Sequence, residues 1–119
     1  MSGMTGEEWV LFHARICDEA RKLSEAKNND YASPDMYSLD PHRVFRNFRV
    51  CELLGICSTE QGFLVRLTDK ISRLTNLLKP EHEQAVKDES IDDTLLDVVN
   101  YAILLMGYRK NKRELEVEK

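Results

Sequence analysis

The stretch Asp88 to Met106, DESIDDTLLDVVNYAILLM, sets Glu89, Asp93 and Asp97 at i, i+4 and i+8, with Asn100 one turn further on. Residues three and four apart are neighbours on a helix, so these four side chains would share one stripe. Like charges stacked in this way repel by about 0.2–0.5 kcal/mol per pair even in solvent. No Lys or Arg stands between residues 88 and 108 to relieve them. Past Asn100 the stripe turns apolar at Leu104, which predicts a face set against protein. Carboxylates in that setting call for a cation, and a divalent metal ion with hard oxygen ligands fits. The helix macrodipole favours acids in a first turn and accounts for Glu89, Asp92 and Asp93 without any site. It does not account for Asp97, two turns in.

A second stripe of the same kind lies upstream. Arg66, Asp69, Arg73 and Asn76 recur at i, i+3, i+7 and i+10, with Lys70 at the edge. One reading is a set of intrahelical ion pairs, each worth a few tenths of a kcal/mol. The other is a phosphate-binding wall with one metal ligand set in it. Carboxylates holding Mg²⁺ beside Arg and Lys are what a nucleoside triphosphate needs.

The elements that would position these stripes are helices. Thr5 and Glu8 have capping-box spacing and open helix one, about Gly6 to Asn28. Its apolar stripe is Trp9, Phe12, His13, Ile16, Cys17, Ala20 and Leu23, and His13 on that stripe reads as a hydrogen-bonded core residue rather than a ligand. Turn residues follow Lys27, and a loop of about a dozen residues runs to Pro41. It carries Lys27, Asp30, Tyr31, Met36 and Tyr37, either a lid over a nucleobase or a solvated connector. Asp40 and Pro41 start helix two, which Gly55 stops after Leu54. Val44, Phe45, Phe48, Cys51 and Leu54 are its core face. Ser58 and Gln61 cap helix three, about Thr59 to Leu78, with Leu64, Leu67, Ile71, Leu74 and Leu78 as the apolar stripe. A short polar connection, residues 80–87, leads into helix four, about Asp88 to Asn111. Ile91, Leu95, Val98, Val99, Ala102 and Met106 line its apolar side. The charged tail, residues 110–119, is expected to fray.

Composition bounds the function. The 119 residues are 42% hydrophobic and 32% charged, with a formal net charge of −4. That size predicts one domain, 1–119, with an all-α, four-helix-bundle-like fold. The acidic balance disfavours nucleic acid as a partner. Three cysteines without a CxxC pair predict reduced, buried thiols in a cytoplasmic protein. No apolar run reaches the ~18 residues of a membrane span, and there is no signal-peptide core.

KNNDY at 27–31, FRNF at 45–48, RLTDKISRLTNLL at 66–78 and DESIDDTLLDVVNYAIL at 88–104 together resemble the all-α nucleotide pyrophosphohydrolases of the MazG and dimeric dUTPase superfamily. They resemble more closely its phage-associated branch, nucleotide-modification-associated domain one. The resemblance implies Mg²⁺-dependent cleavage of a (deoxy)nucleoside triphosphate to the monophosphate and pyrophosphate, with Mn²⁺ able to substitute. It also implies a homodimer or homotetramer of MazG type. By the same resemblance, Asp69, Glu89, Asp93 and Asp97 hold metal, and Lys70, Arg73 and Arg66 hold phosphates. Lys27, Asp30, Tyr31, Asn47, Asn100 and Tyr101 lie near the nucleotide. A metal-bound water would be the nucleophile, with a spare carboxylate as base. Asp93 followed by Asn100 fits the superfamily's ExxD helix, but the Glu of that motif falls on Ser90. Of the ExxE helix only Asp69 remains, with Arg66 where an acid would stand. That reduction leaves a second reading, a member that binds a nucleotide or a partner protein without hydrolysis. A third is a helical adaptor whose acids are a solvated face.

Overall fold

A computed structural model describes residues 3–31, 41–80 and 84–118, the side chains of 28–31 and 84–88 excepted. All regular structure in them is helical. The elements are α1 (Gly6–Tyr31), a 3-10 helix (Arg43–Phe48), α2 (Val50–Leu53), α3 (Thr59–Leu77) and α4 (Gln84–Val117). No helix of the described residues is long and apolar enough to cross a membrane.

Both sequence caps are built. Thr5 Oγ1 accepts from Glu8 N–H at 3.2 Å. At the head of α3, Ser58 Oγ accepts from Gln61 N–H at 3.1 Å while Gln61 Oε1 accepts from Ser58 N–H at 3.0 Å. These bonds satisfy donors that a helix start leaves orphaned. Gly55 takes φ +77°, the left-handed turn that lets Ile56 N–H return to the Cys51 carbonyl at 2.9 Å. A side chain there would be strained.

α3 and α4 form an antiparallel hairpin. Phe63 meets Tyr108 at one end, Glu60 meets Arg109 and Lys112 beyond it, and Lys70 meets Asp97 further down. α1 is fastened to α4, where Lys27 reaches Asp97. Phe45, Phe63 and Tyr108 are the heart of the core, with Phe48, Tyr101, Leu104 and Leu105 packed around them.

Helix two departs from expectation. The segment from Pro41 to Leu54 is not one α-helix but a 3-10 helix, interrupted at Phe45 (φ −106°, ψ 15°), followed by a single α turn. Its Val, Phe and Asn residues are weak helix formers. A 3-10 helix eclipses side chains at i and i+3, which aims Phe45 and Phe48 together into the hairpin. Phe48 stacks on Phe63 with centroids 4.7 Å apart, and Phe45 meets Tyr108 edge-on at 5.7 Å. Val44 and Leu54, expected in the core, are exposed. The proposed cap, Asp40, lies outside the described residues.

α4 also differs. It begins at Gln84 and stays helical to Val117, through the tail expected to fray. Lys110 pairs with Glu114 at 2.6 Å, and Asn111 Nδ2 donates to the Pro41 carbonyl at 3.0 Å. Those ties and the Glu60 pairs hold the last turns. His13 is exposed beside Cys17 rather than in the core. Of the three free thiols, Cys17 is exposed, while Cys51 and Cys57 are half-buried. A hydrogen bond to Cys51, followed by burial, pushes the Cys57 thiol up.

Much of the expected core is bare. Trp9, Leu64, Ile71, Leu95 and Met106 are all exposed in the single chain.

Two glycines test the packing. A Cβ on Gly62 would sit 2.5 Å from Cys51 Sγ, whereas one on Gly107 would meet Phe45 at an ordinary 3.4 Å. Gly107→Ala should therefore raise stability by about 0.5–1 kcal/mol through helix propensity. Gly62→Ala should lower it by about 1–3 kcal/mol through overpacking, and Cys51→Ala should relieve that loss. A thermal double-mutant cycle checks this, and a coupling near zero between 51 and 62 would show that the sulfur simply swings away.

Candidate functional site

Three residues far apart in sequence meet at the waist of the hairpin. Lys27 Nζ of α1 lies 3.1 Å from Asp97 Oδ1, and Lys70 Nζ of α3 lies 3.1 Å from Asp97 Oδ2. One carboxylate thus joins three helices. The Asp97 side chain is 22% exposed, against 27% for Lys70 and 49% for Lys27. Burial alone would raise the Asp97 carboxyl, but hydrogen bonds and charge from both lysines outweigh it and hold the group below the usual carboxylate range. Lys70 also lies 6.0 Å from the Tyr101 ring centroid, within cation–π reach. Tyr101 in turn stands edge-on to Phe48, so it ties this charged waist to the aromatic core.

Asn100, almost a turn beyond Asp97, carries a buried Nδ2 with no hydrogen-bond partner among the described residues. A buried donor left unpaired costs about 1–3 kcal/mol. It is a group that an incoming oxygen acceptor would satisfy.

The other expected site residues are placed differently. Glu89 and Asp93 are exposed on α4. Among the described residues no three His, Cys, Asp or Glu side chains come together in a way that could hold a metal ion. Asp69, Arg73 and Asn76 line a shallow open hollow with Ser72, Thr75 and Lys79, made entirely of residues of α3 and its C-terminal end. Among the described residues, the two polar stripes expected to face each other meet where Lys70 pairs with Asp97. Arg66 lies over the Phe48 ring at 4.6 Å and donates to the Asn47 carbonyl at 3.0 Å, so it braces the 3-10 helix against α3. The Asn47 side chain is exposed. The side chains of Asp30 and Tyr31, and all of Met36 and Tyr37, lie outside the described residues, as does His82.

Residues 60–106 match the family model of nucleotide modification associated domain 1. The match covers less than half of the chain. It takes in the hairpin that carries Asp69, Lys70, Asp93, Asp97 and Asn100, and leaves out Lys27. No curated protein and no solved structure matches the chain.

Lys27, Lys70 and Asp97 are each marked by the sequence, but nothing in it joins them, because their separations carry no helical period. Lys79, which continues the α3 stripe three residues past Asn76, joins the hollow and was not among the expected site residues.

The waist has a pH signature. A carboxyl depressed in the folded state contributes stability that is complete above its unfolded value, about 3.9, and is lost as pH falls through the folded value. Asp97→Asn should cost about 1–3 kcal/mol near neutrality and flatten the fall in stability below about pH 4. Urea midpoints measured against pH check this. An unchanged acid limb in the variant would show that the pairs contribute nothing.

Proposed function

We propose that the chain is a metal-dependent nucleoside triphosphate pyrophosphohydrolase of MazG-like type, forming the monophosphate and pyrophosphate, and acting as a homo-oligomer in modified-DNA metabolism. The observation that carries this reading is the Lys27–Asp97–Lys70 waist. It gathers, from three helices, one acid and two bases that the resemblance had assigned separately to metal, phosphate and nucleotide. The match to a nucleotide-modification-associated family over the same hairpin supports it.

Mg²⁺ retains several waters and takes one or two carboxylates plus substrate phosphates. Asp93 and Asp97, one turn apart on α4, supply such a pair. They fit a metal that arrives with its triphosphate, not one caged by this chain alone. Bound there, the ion would neutralise phosphate oxygens and lower the pKa of a water. Lys27 and Lys70 hold Asp97 ionised until a triphosphate enters, then offer their ammonium groups to its oxygens. The buried Asn100 amide donates to whatever acceptor lies beside it. Arg73 and Lys79 are the cations of the α3 hollow, with Asp69 among them.

A second reading, nucleotide binding without hydrolysis, is favoured by one fact. Asp97 is already neutralised by two lysines, and no third acid stands by among the described residues.

Pyrophosphate release from the eight common ribo- and deoxynucleoside triphosphates and dUTP, with Mg²⁺, Mn²⁺ or EDTA, tests the enzyme. The expected result is metal-dependent release that Asp93→Asn abolishes while the helix content stays. Nucleotide affinity with no release from any substrate would leave the binding reading in its place. Arg73→Ala should weaken triphosphate binding more than nucleoside binding, and equal weakening in calorimetry would assign it to packing.

A further inference from the structure

The elbow between α2 and α3 holds two of the three cysteines, and the backbone brings them together. Cys51 and Cys57 stand six positions apart. Between them Gly55, at φ +77°, turns the chain back. The Cys51 carbonyl then accepts from Ile56 N–H at 2.9 Å and from Cys57 N–H at 3.4 Å. The next residue, Ser58, caps α3. The two cysteines are thus fixed at the ends of one tight turn by main-chain bonds alone.

Their thiols meet as well. Cys57 is hydrogen-bonded to Cys51, and Cys51 Sγ donates in turn to the Ser58 carbonyl at 3.6 Å. Both are free and half-buried. A disulfide demands a short Cα separation and converging Cβ directions. Sulfurs already in hydrogen-bond contact are a side-chain adjustment away from the ~2.05 Å of an S–S bond. Cys17 is placed differently, exposed on α1 beside His13.

Joining the pair strands no polar group. The Ser58 carbonyl, which loses the Cys51 thiol, also accepts from Gly62 N–H at 2.9 Å. A cystine has no S–H left to satisfy. Residue 62 offers no side chain to hold the Cys51 sulfur where it is, since a Cβ there would stand 2.5 Å from it.

We propose that Cys51 and Cys57 are a redox modification site, forming a reversible disulfide across the elbow at the head of α3. Hydrogen peroxide oxidises one thiol to a sulfenic acid and releases water. The second thiol attacks that sulfur, the S–S bond forms and a second water leaves. The pair gives up two electrons and two protons, and the peroxide is reduced to two waters. A dithiol reverses the step by exchange and is itself oxidised to a disulfide. The bond fastens the segment that carries Phe48 to the start of the helix that carries Phe63, on which Phe48 stacks. Because a cross-link removes freedom from the unfolded chain, the oxidised form melts higher than the reduced one. None of this depends on nucleotide hydrolysis.

The test uses the full wild-type chain, treated with hydrogen peroxide or with oxidised glutathione, then alkylated and cut with trypsin. Arg49 and Arg66 bracket both cysteines in one peptide, 50–66, with no Lys or Arg between them. The expected product is that peptide unalkylated and lighter by two hydrogens, returned to double alkylation by dithiothreitol. The melting temperature should rise on oxidation, and Cys51→Ser should remove both the bond and the rise. Alkylation of both sulfurs after oxidant overturns the proposal. So does glutathione retained on either sulfur, a sulfinic acid in place of the bond, or a link to Cys17 or to another chain. The peptide map of the wild type decides even if Cys51→Ser fails to fold.

Discussion

Phe63 is the side chain on which the rest of the chain closes. It is 1% exposed, and it is where three otherwise separate pieces meet. Phe48 stacks on it from the 3-10 helix, Tyr108 reaches it from α4, and its own helix is started by the Ser58–Gln61 cap just upstream. Aromatic pairs of this kind add about 0.5–1.5 kcal/mol each beyond the area they bury. With few side chains buried among the described residues, that geometry weighs heavily on the path of the backbone. The segment from Arg43 to Phe48 takes the tighter helix, which eclipses Phe45 and Phe48 on the side of Phe63 and Tyr108.

Below the aromatic end the same seam changes character. Lys70 and Asp97 face each other where a purely structural hairpin would place two leucines. Partly buried ion pairs are poor sources of stability, since desolvation offsets much of the attraction. They sit where Lys27 of α1, Lys70 of α3 and Asp97 of α4 meet. Tyr101 links the two halves, with one face toward Lys70 and its edge toward Phe48. A change of charge at the waist is thus in contact with the packing that orders the 3-10 helix.

The sequence shows some of this plainly and hides the rest for physical reasons. Caps at Thr5 and Ser58 and the stop at Gly55 are local chemistry, and they are where the pattern puts them. α3 and α4 follow from their periods. The 3-10 helix does not, because it is imposed by Phe63 and Tyr108, which are distant in sequence. The apolar stripes of Trp9, Leu64 and Met106 were readable as stripes, but a stripe does not say whether its cover lies in the same chain. For the site, the period showed that Asp93, Asp97 and Asn100 share a face. It could not show that Asp97 would be claimed by Lys27 and Lys70, nor that Asp69 and Arg73 would turn to the outer side of α3.

The elbow between α2 and α3 has a consequence for how this sequence can drift. Cys51 occupies the space that a Cβ at position 62 would take, so the two positions share one volume. In a chain of the same fold with Ala or Ser at 62, position 51 must shrink to Ala or Gly. A Gly at 62 leaves room for Cys, Ser or Val at 51. The two positions should vary as a pair across descendants of this sequence, although they stand eleven positions apart along the chain.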